Sequence, residues 1–361
     1  MTDVENENIK GFVNLQAINA KEFETLSLAN LLDENGFIKR SETSNQFHKY
    51  IQQALNDENA WRGTRFFCFW GNTDIQGECF NIGQLHLVWY GPYLKRAVVS
   101  VDIAPIIRIT DWIPKNWSRT HTLVAESTAK SVGCYLMMKD AKRYVEGLDF
   151  VNEMEAGVAK VWENRLFKVS ISQVEHAAMR FAPADAKNGY KIAKSIQMLC
   201  PHLLFDAIKT MELSKEMVRR AEYGPDGSIL ALFKVSEFVT SYVLKTGLFF
   251  ELERRGMVSQ FSAEDMMPRK WNHTILTGDV FDQTMPTKDD VHESVLWALS
   301  IYKKILTLVV EQKHVPEFFL TQMEATKIPG YSDEFVLVMS TFLKCIIHIL
   351  ENYAIPDDIW K

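Results

Sequence analysis

The pattern of apolar and polar positions changes character about halfway along the chain. Three early runs read as strands. Arg65 to Trp70 is rich in β-prone aromatics, and Gln84 to Trp89 places Leu85, Leu87 and Trp89 on one face. Ala97 to Ile103 puts Ala97, Val99, Val101 and Ile103 on one face and Val98, Ser100 and Asp102 on the other. The polar stretch Gly71 to Gly77, the Tyr90-Gly91-Pro92 break and Pro105 punctuate these runs, which predicts an antiparallel meander.

From about Glu126 onward the spacing is helical. Ser172-Gln173-Val174-Glu175 has the form of a capping box, so a helix is expected to start there. Thr287 to Asp290 sets acids at the positive end of a long amphipathic run, Val291 to Lys313, with Pro316 beyond its close. Ser332-Asp333-Glu334 opens a last helix running to about Tyr353. With Pro201 to Glu222 and Ile229 to Arg255, these segments predict a helical bundle. The expected fold class is α+β, with a mixed sheet lobe over residues 1–160 and a helical lobe over residues 161–361.

Composition narrows the function classes. With 361 residues, 47% of them hydrophobic, the chain can bury a sizeable core. A net charge of -6 argues against coating nucleic acid or an anionic membrane through a bulk basic field, so any anion site has to be built locally. Met1 to Lys10 is acidic and polar, and no secretory signal is expected from it. The most apolar long segment, Ile229 to Leu252, is interrupted by Lys234, Glu237, Lys245 and Glu251, which predicts a buried helix rather than a membrane span. The five cysteines, Cys68, Cys79, Cys134, Cys200 and Cys345, form no C-x-x-C pair and suggest free thiols in a reducing, cytoplasmic setting. None of the nine histidines stands at metal-ligand spacing from them, so zinc is expected to be absent.

Three constellations are able to carry chemistry. A carboxylate inside an apolar strand, Asp102, needs hydrogen bonds, a cation or water. It is either a strand-end aspartate serving solvent or the Pro105 turn, or a functional acid. In Phe167 to Ser172, period-two spacing puts Lys168, Ser170 and Ser172 on one face, either as a half-exposed strand edge or as a cradle for a phosphate oxygen. Lys191 with Lys194, and Tyr242 with Lys245, share helix faces at i, i+3. The first pair suits solvent or phosphate; the second suits core packing, or a base stacked beside a cation.

Taken in order, five segments resemble the Mab-twenty-one family, the group that includes cyclic GMP-AMP synthase and related animal nucleic-acid sensors. Leu85 to Ile107 (LHLVWYGPYLKRAVVSVDIAPII) is similar to the family's strand pair ending in a valine-aspartate-hydrophobe motif and a proline. Phe167 to Glu175 resembles its R-L-S-F-S-x-x-E segment, with lysine at 168. Tyr190 to Ile196 resembles the lysine-bearing helix that follows, and Thr240 to Leu248 the serine-tyrosine-x-x-lysine-threonine helix. Val315 to Phe319 resembles a late segment before the last helices.

The resemblance implies a nucleotidyltransferase fold with a C-terminal helical lobe. Active members bind ATP or GTP with Mg²⁺ or Mn²⁺ and make cyclic dinucleotides when double-stranded RNA or another nucleic acid occupies an outer surface. By match, Asp102 stands where the family has its third metal-binding catalytic acid. Lys168, Ser170, Ser172, Glu175, Lys191, Lys194, Ser241, Tyr242 and Lys245 match the nucleotide site. The family's glycine-serine loop and E-x-D pair precede a strand resembled by Lys10 to Leu15, and before that strand stand only Asp3, Glu5 and Glu7. Asp74 lies in a turn of the meander and does not replace them. The zinc-binding insertion of the vertebrate DNA sensor is also missing. Two-metal phosphoryl transfer needs carboxylates on both ions, so a catalytically incompetent, nucleotide-binding member is expected. An active synthase completed by upstream acids and a pure protein-interaction module are the alternatives.

Overall fold

A computed structural model describes residues 2–5, 11–57, 66–72, 83–89, 97–121, 123–138, 156–199, 239–257, 288–320 and 332–352. At 2–5, 66–72, 83–89 and 97–102 it describes the backbone path alone. The protein is α+β and divides into two compact units, residues 1–115 with 133–173 and residues 116–132 with 174–361. Among the described residues no helix is long and apolar enough to cross a membrane.

The first unit contains two antiparallel sheets. The meander expected from the sequence is present as β3 (Phe66–Asn72), β4 (Gly83–Trp89) and β5 (Ala97–Ile103), a three-stranded sheet in that order. β3 runs two residues into the stretch expected to turn, because Gly71 and Asn72 still pair with Gln84 and Gly83. Asp102 sits opposite Gln84. Pro105, which has no amide to donate, falls between β5 and β6 (Ile106–Ile109), and the chain changes sheet there.

The second sheet has five strands in the order β1-β2-β8-β7-β6, where β1 is Thr2–Glu5, β2 Phe12–Gln16, β7 Cys134–Met137 and β8 Leu166–Ser170. β8 lies between β2 and β7, with Lys168 facing both Phe12 and Met137 in register. Phe167 and Val169 are buried on one face while Lys168 and Ser170 are half-buried on the other, so the period-two expectation holds along β8. It does not extend to Ser172, which is already the first residue of a helix. Helices α1 (Ala20–Thr25) and α2 (Arg40–Leu55) complete the described part of this unit with α4 (Ala156–Glu163), counting α3 (Glu126–Val132) in the other unit. Gly133 follows α3 with φ of +80° and is obligatory there, because a Cβ would lie 2.2 Å from the Ile109 carbonyl oxygen.

The second unit is helical. Its other described helices are α5 (Ser172–Phe181), α6 (Ala184–Leu199), α7 (Ser241–Arg254), α8 (Lys288–Gln312) and α9 (Asp333–Glu351). The long amphipathic run and the last helix appear where the sequence placed them. The Ser332 hydroxyl accepts from the Phe335 amide at 3.2 Å, so α9 has the side-chain cap that its opening residues announce. The helix expected over 229–255 is corrected. Thr240 adopts an extended backbone, its hydroxyl accepts from the Val243 amide at 3.3 Å, and the helix begins only at Ser241. A threonine cap overrides the apolar continuity that suggested a longer helix. The helix expected over 201–222 lies outside the described residues.

α8 packs between α6, α7 and α9. Its residues Trp297, Ala298, Ile301, Tyr302, Ile305 and Val309 are all buried. Tyr302 is fully buried and gives its hydroxyl proton to the Ala193 carbonyl at 2.7 Å, which satisfies a polar group this core would otherwise strand.

Candidate functional site

The helix cap at Thr240 fixes where the first turns of α7 point. Tyr242 and Lys245 then fall on one face, three residues apart, and the Lys245 ammonium lies 4.9 Å from the centre of the Tyr242 ring. Val243, Leu244, Leu248, Phe249 and Leu252 of α7 are buried in the core, so this face is held in place by their packing.

Glu175 comes from the first turn of α5. Its side chain is only 5% exposed, and Oε2 accepts a hydrogen bond from Lys245 Nζ at 2.6 Å. The capping-box geometry expected of Ser172 and Glu175 gives way to this pair. The Ser172 amide instead donates to the Ser170 hydroxyl at 3.4 Å. The Tyr242 hydroxyl donates to Glu317 Oε1 at 2.9 Å, in the loop after α8. Tyr190 of α6 donates its hydroxyl proton to the Ser241 carbonyl at 3.0 Å, tying α6 to the start of α7.

Burial raises the Tyr242 phenol well above its usual value, and the nearby carboxylates of Glu317 and Glu175 push it further the same way. The Tyr190 phenol is raised too, by burial first and then by Glu175. Both therefore remain hydrogen-bond donors across the neutral range. The cluster sets two carboxylates, Glu175 and Glu317, against one ammonium, Lys245. Such a group offers a stacking ring, a carboxylate acceptor for N–H groups and a cation. It is poorly suited to holding several phosphate charges by itself.

The remaining residues singled out from the sequence lie elsewhere. Lys191 and Lys194 are exposed on α6, and the Lys191 ammonium reaches Asn188 Oδ1 at 3.3 Å. Ser241 is exposed at the first position of α7. Asp102, Lys168, Ser170 and Ser172 belong to the first unit, whereas Glu175, Lys191, Lys194, Ser241, Tyr242 and Lys245 belong to the second. Asp102 stands in the three-stranded sheet, not in the five-stranded sheet that carries Lys168 and Ser170. Asp74 lies outside the described residues. Among the described residues, no group of three or more His, Cys, Asp and Glu side chains converges to hold a metal ion, and the Asp102 side chain is not one of those described.

Two members of the cluster went unmarked in the sequence. No spacing rule connects residue 317 with residue 242, or residue 190 with residue 241. Compared with known proteins, the chain matches no family model and no curated protein.

Proposed function

We propose that the second unit binds a purine nucleotide mainly through its base, in a nucleotidyltransferase-like protein of the Mab-twenty-one type that does not complete phosphoryl transfer as this chain stands. The observation carrying the reading is the convergence of Glu175, Tyr242 and Lys245 from α5 and α7, three of the residues that match the family's nucleotide site. A base stacked on Tyr242 gains about 1–3 kcal/mol. Glu175 is a suitable acceptor for the ring and exocyclic N–H groups of guanine, and the exposed Lys191 and Lys194 are the cations for the phosphates. Catalysis needs carboxylates on two ions, and Asp102 alone does not meet that need.

The test is a thermal melt of the whole chain with GTP, ATP or guanosine, since a ligand that binds only the native state raises the midpoint. A rise is expected with GTP, smaller with guanosine, and lost in Tyr242→Ala and Lys245→Ala. No shift with any of the three, or a shift that both variants keep, overturns the reading. Incubation with ATP, GTP, Mn²⁺ and double-stranded RNA or DNA tests the second half. A linear or cyclic dinucleotide product would show an active synthase instead.

A second reading rests on one feature. Lys245 and Tyr242 are both already bonded inside the unit, as expected of a clasp that holds α5, α7 and the 315–320 loop together in a protein-interaction module. On that reading the variants lower stability and no nucleotide changes the melt.

A further inference from the structure

Two carboxylates act on one phenol in the second unit. Burial first, then Glu317 and Glu175, raise the Tyr242 phenol, and the hydroxyl gives its proton to Glu317, 2.9 Å from Oε1. Glu175 accepts instead from the Lys245 ammonium, with Oε2 at 2.6 Å. Lys245 in turn lies over one face of the Tyr242 ring, 4.9 Å from its centre, so a stacked base has the opposite face.

Glu317 stands on a loop with little freedom. Val315, Phe318, Phe319 and Leu320 around it are buried. The segment 117–121 grips the same loop. The Ser118 amide donates to the Phe319 carbonyl at 2.7 Å, the Trp117 ring stacks on Phe319 with centroids 5.4 Å apart, and the His121 ring stacks on Phe318 at 4.2 Å. A carboxylate on so confined a backbone is a fixed acceptor, and a ring bonded to it through its hydroxyl is held at both ends. Without Glu317, the other carboxylate acting on that hydroxyl is Glu175, and an enclosed hydroxyl that has lost its acceptor turns to another.

We propose that Glu317 is a specificity-determining residue for the base. By taking the Tyr242 proton it fixes the stacking ring and leaves Glu175 to accept the ring and exocyclic N–H groups of guanine. Adenine, whose N1 is itself an acceptor, is disfavoured beside that carboxylate. The proposal rests on the nucleotide reading and adds that the choice of base is set from the 315–320 loop, not from α5 alone.

The experiment is isothermal titration calorimetry of the whole chain with guanosine and with adenosine, below the melting midpoint of every variant. The unaltered chain should prefer guanosine. Glu317→Ala should cut that preference about tenfold, as Glu175 is drawn to the phenol. Glu317→Gln, whose amide oxygen still accepts from Tyr242, should recover most of it. Adding Tyr242→Phe to Glu317→Ala should also recover part, because no hydroxyl is left to compete for Glu175. A role in stability alone would lower the melting midpoint of Glu317→Ala and leave the guanosine-to-adenosine ratio where it was, which overturns the proposal. A glutamine variant that behaves like the alanine one, or a double variant less selective than Glu317→Ala, overturns it too. Equal binding of the two nucleosides by the unaltered chain overturns it while sparing the nucleotide reading, and binding of neither overturns both.

Discussion

Glu175 and Lys245, seventy residues apart, meet at 2.6 Å in the second unit, with the Glu175 side chain 5% and the Lys245 side chain 22% exposed. Removing one partner of so enclosed a pair leaves the other charge poorly solvated. Glu175→Leu is therefore expected to cost roughly 3 kcal/mol in stability, at the low end for a buried pair because Lys245 keeps some water. Adding Lys245→Met should restore part of that loss, since no stranded charge remains. Urea denaturation of the two single variants and the double variant measures the coupling. Strictly additive losses would mean that the two groups do not depend on one another.

Tyr242 makes a prediction about pH. Its phenol is raised above the ordinary value of 10.0 in the folded chain, by burial and then by Glu317 and Glu175. Below pH 10 both folded and unfolded chains keep the proton, and the stabilisation is fully present. Above it the unfolded phenol ionises first, so stability falls as pH rises towards the folded value. Tyr242→Phe should cost about 2 kcal/mol near pH 8, where a hydroxyl bond to a carboxylate is lost. Its gap from the unaltered chain should narrow from pH 10 to 11. Parallel stability curves over that interval would contradict the assignment.

Much of the frame is readable from local signals. The β3-β4-β5 meander follows from aromatic and β-branched runs between turn residues, and α8 and α9 from acids and a serine at their first turns. Lys245 beside Tyr242 is likewise local, since three residues on a helix bring two side chains together. What escaped was long-range or competing. The Glu317 partner of Tyr242 depends on how the 315–320 loop returns to α7, which no periodicity encodes. The break at Thr240 was hidden because apolar residues recur on both sides of it from Ile229 to Leu252, and hydrophobicity says nothing about backbone angles. Ser172 kept its strand parity on paper only until the helix claimed it.

Two thiols buried among the described residues, Cys134 and Cys345, should be chemically quiet. Burial pushes Cys134 up to about 12 and Cys345 up to about 11, so neither has appreciable thiolate at pH 8. In the native chain iodoacetamide is expected to leave both unmodified over an hour, and to modify both in 6 M guanidinium chloride. Peptide mass spectrometry distinguishes them from the other cysteines. Rapid native labelling of Cys134, whose side chain is fully buried next to the Trp112 carbonyl, would mean that β7 opens readily.

Two helical glycines separate packing from propensity. A Cβ on Gly189 of α6 would lie 2.4 Å from Trp297 Cβ and 2.7 Å from the Ser294 carbonyl oxygen, so α6 approaches α8 as closely as it does because that residue has no side chain. Trp297 has no room to yield, being 3% exposed with the Arg255 guanidinium 3.7 Å from its ring centre. On Gly157 of α4 an added Cβ meets nothing within 4 Å. Alanine lowers backbone entropy and favours helix by up to about 1 kcal/mol at both sites, and only at residue 189 does overpacking of about 1–3 kcal/mol oppose it. Gly189→Ala should therefore lower the thermal midpoint and Gly157→Ala should hold or raise it. Because helix propensity favours alanine over glycine at both positions, the opposite signs isolate the α6–α8 contact. A Gly189→Ala chain as stable as its parent would show that the helices can move apart at little cost.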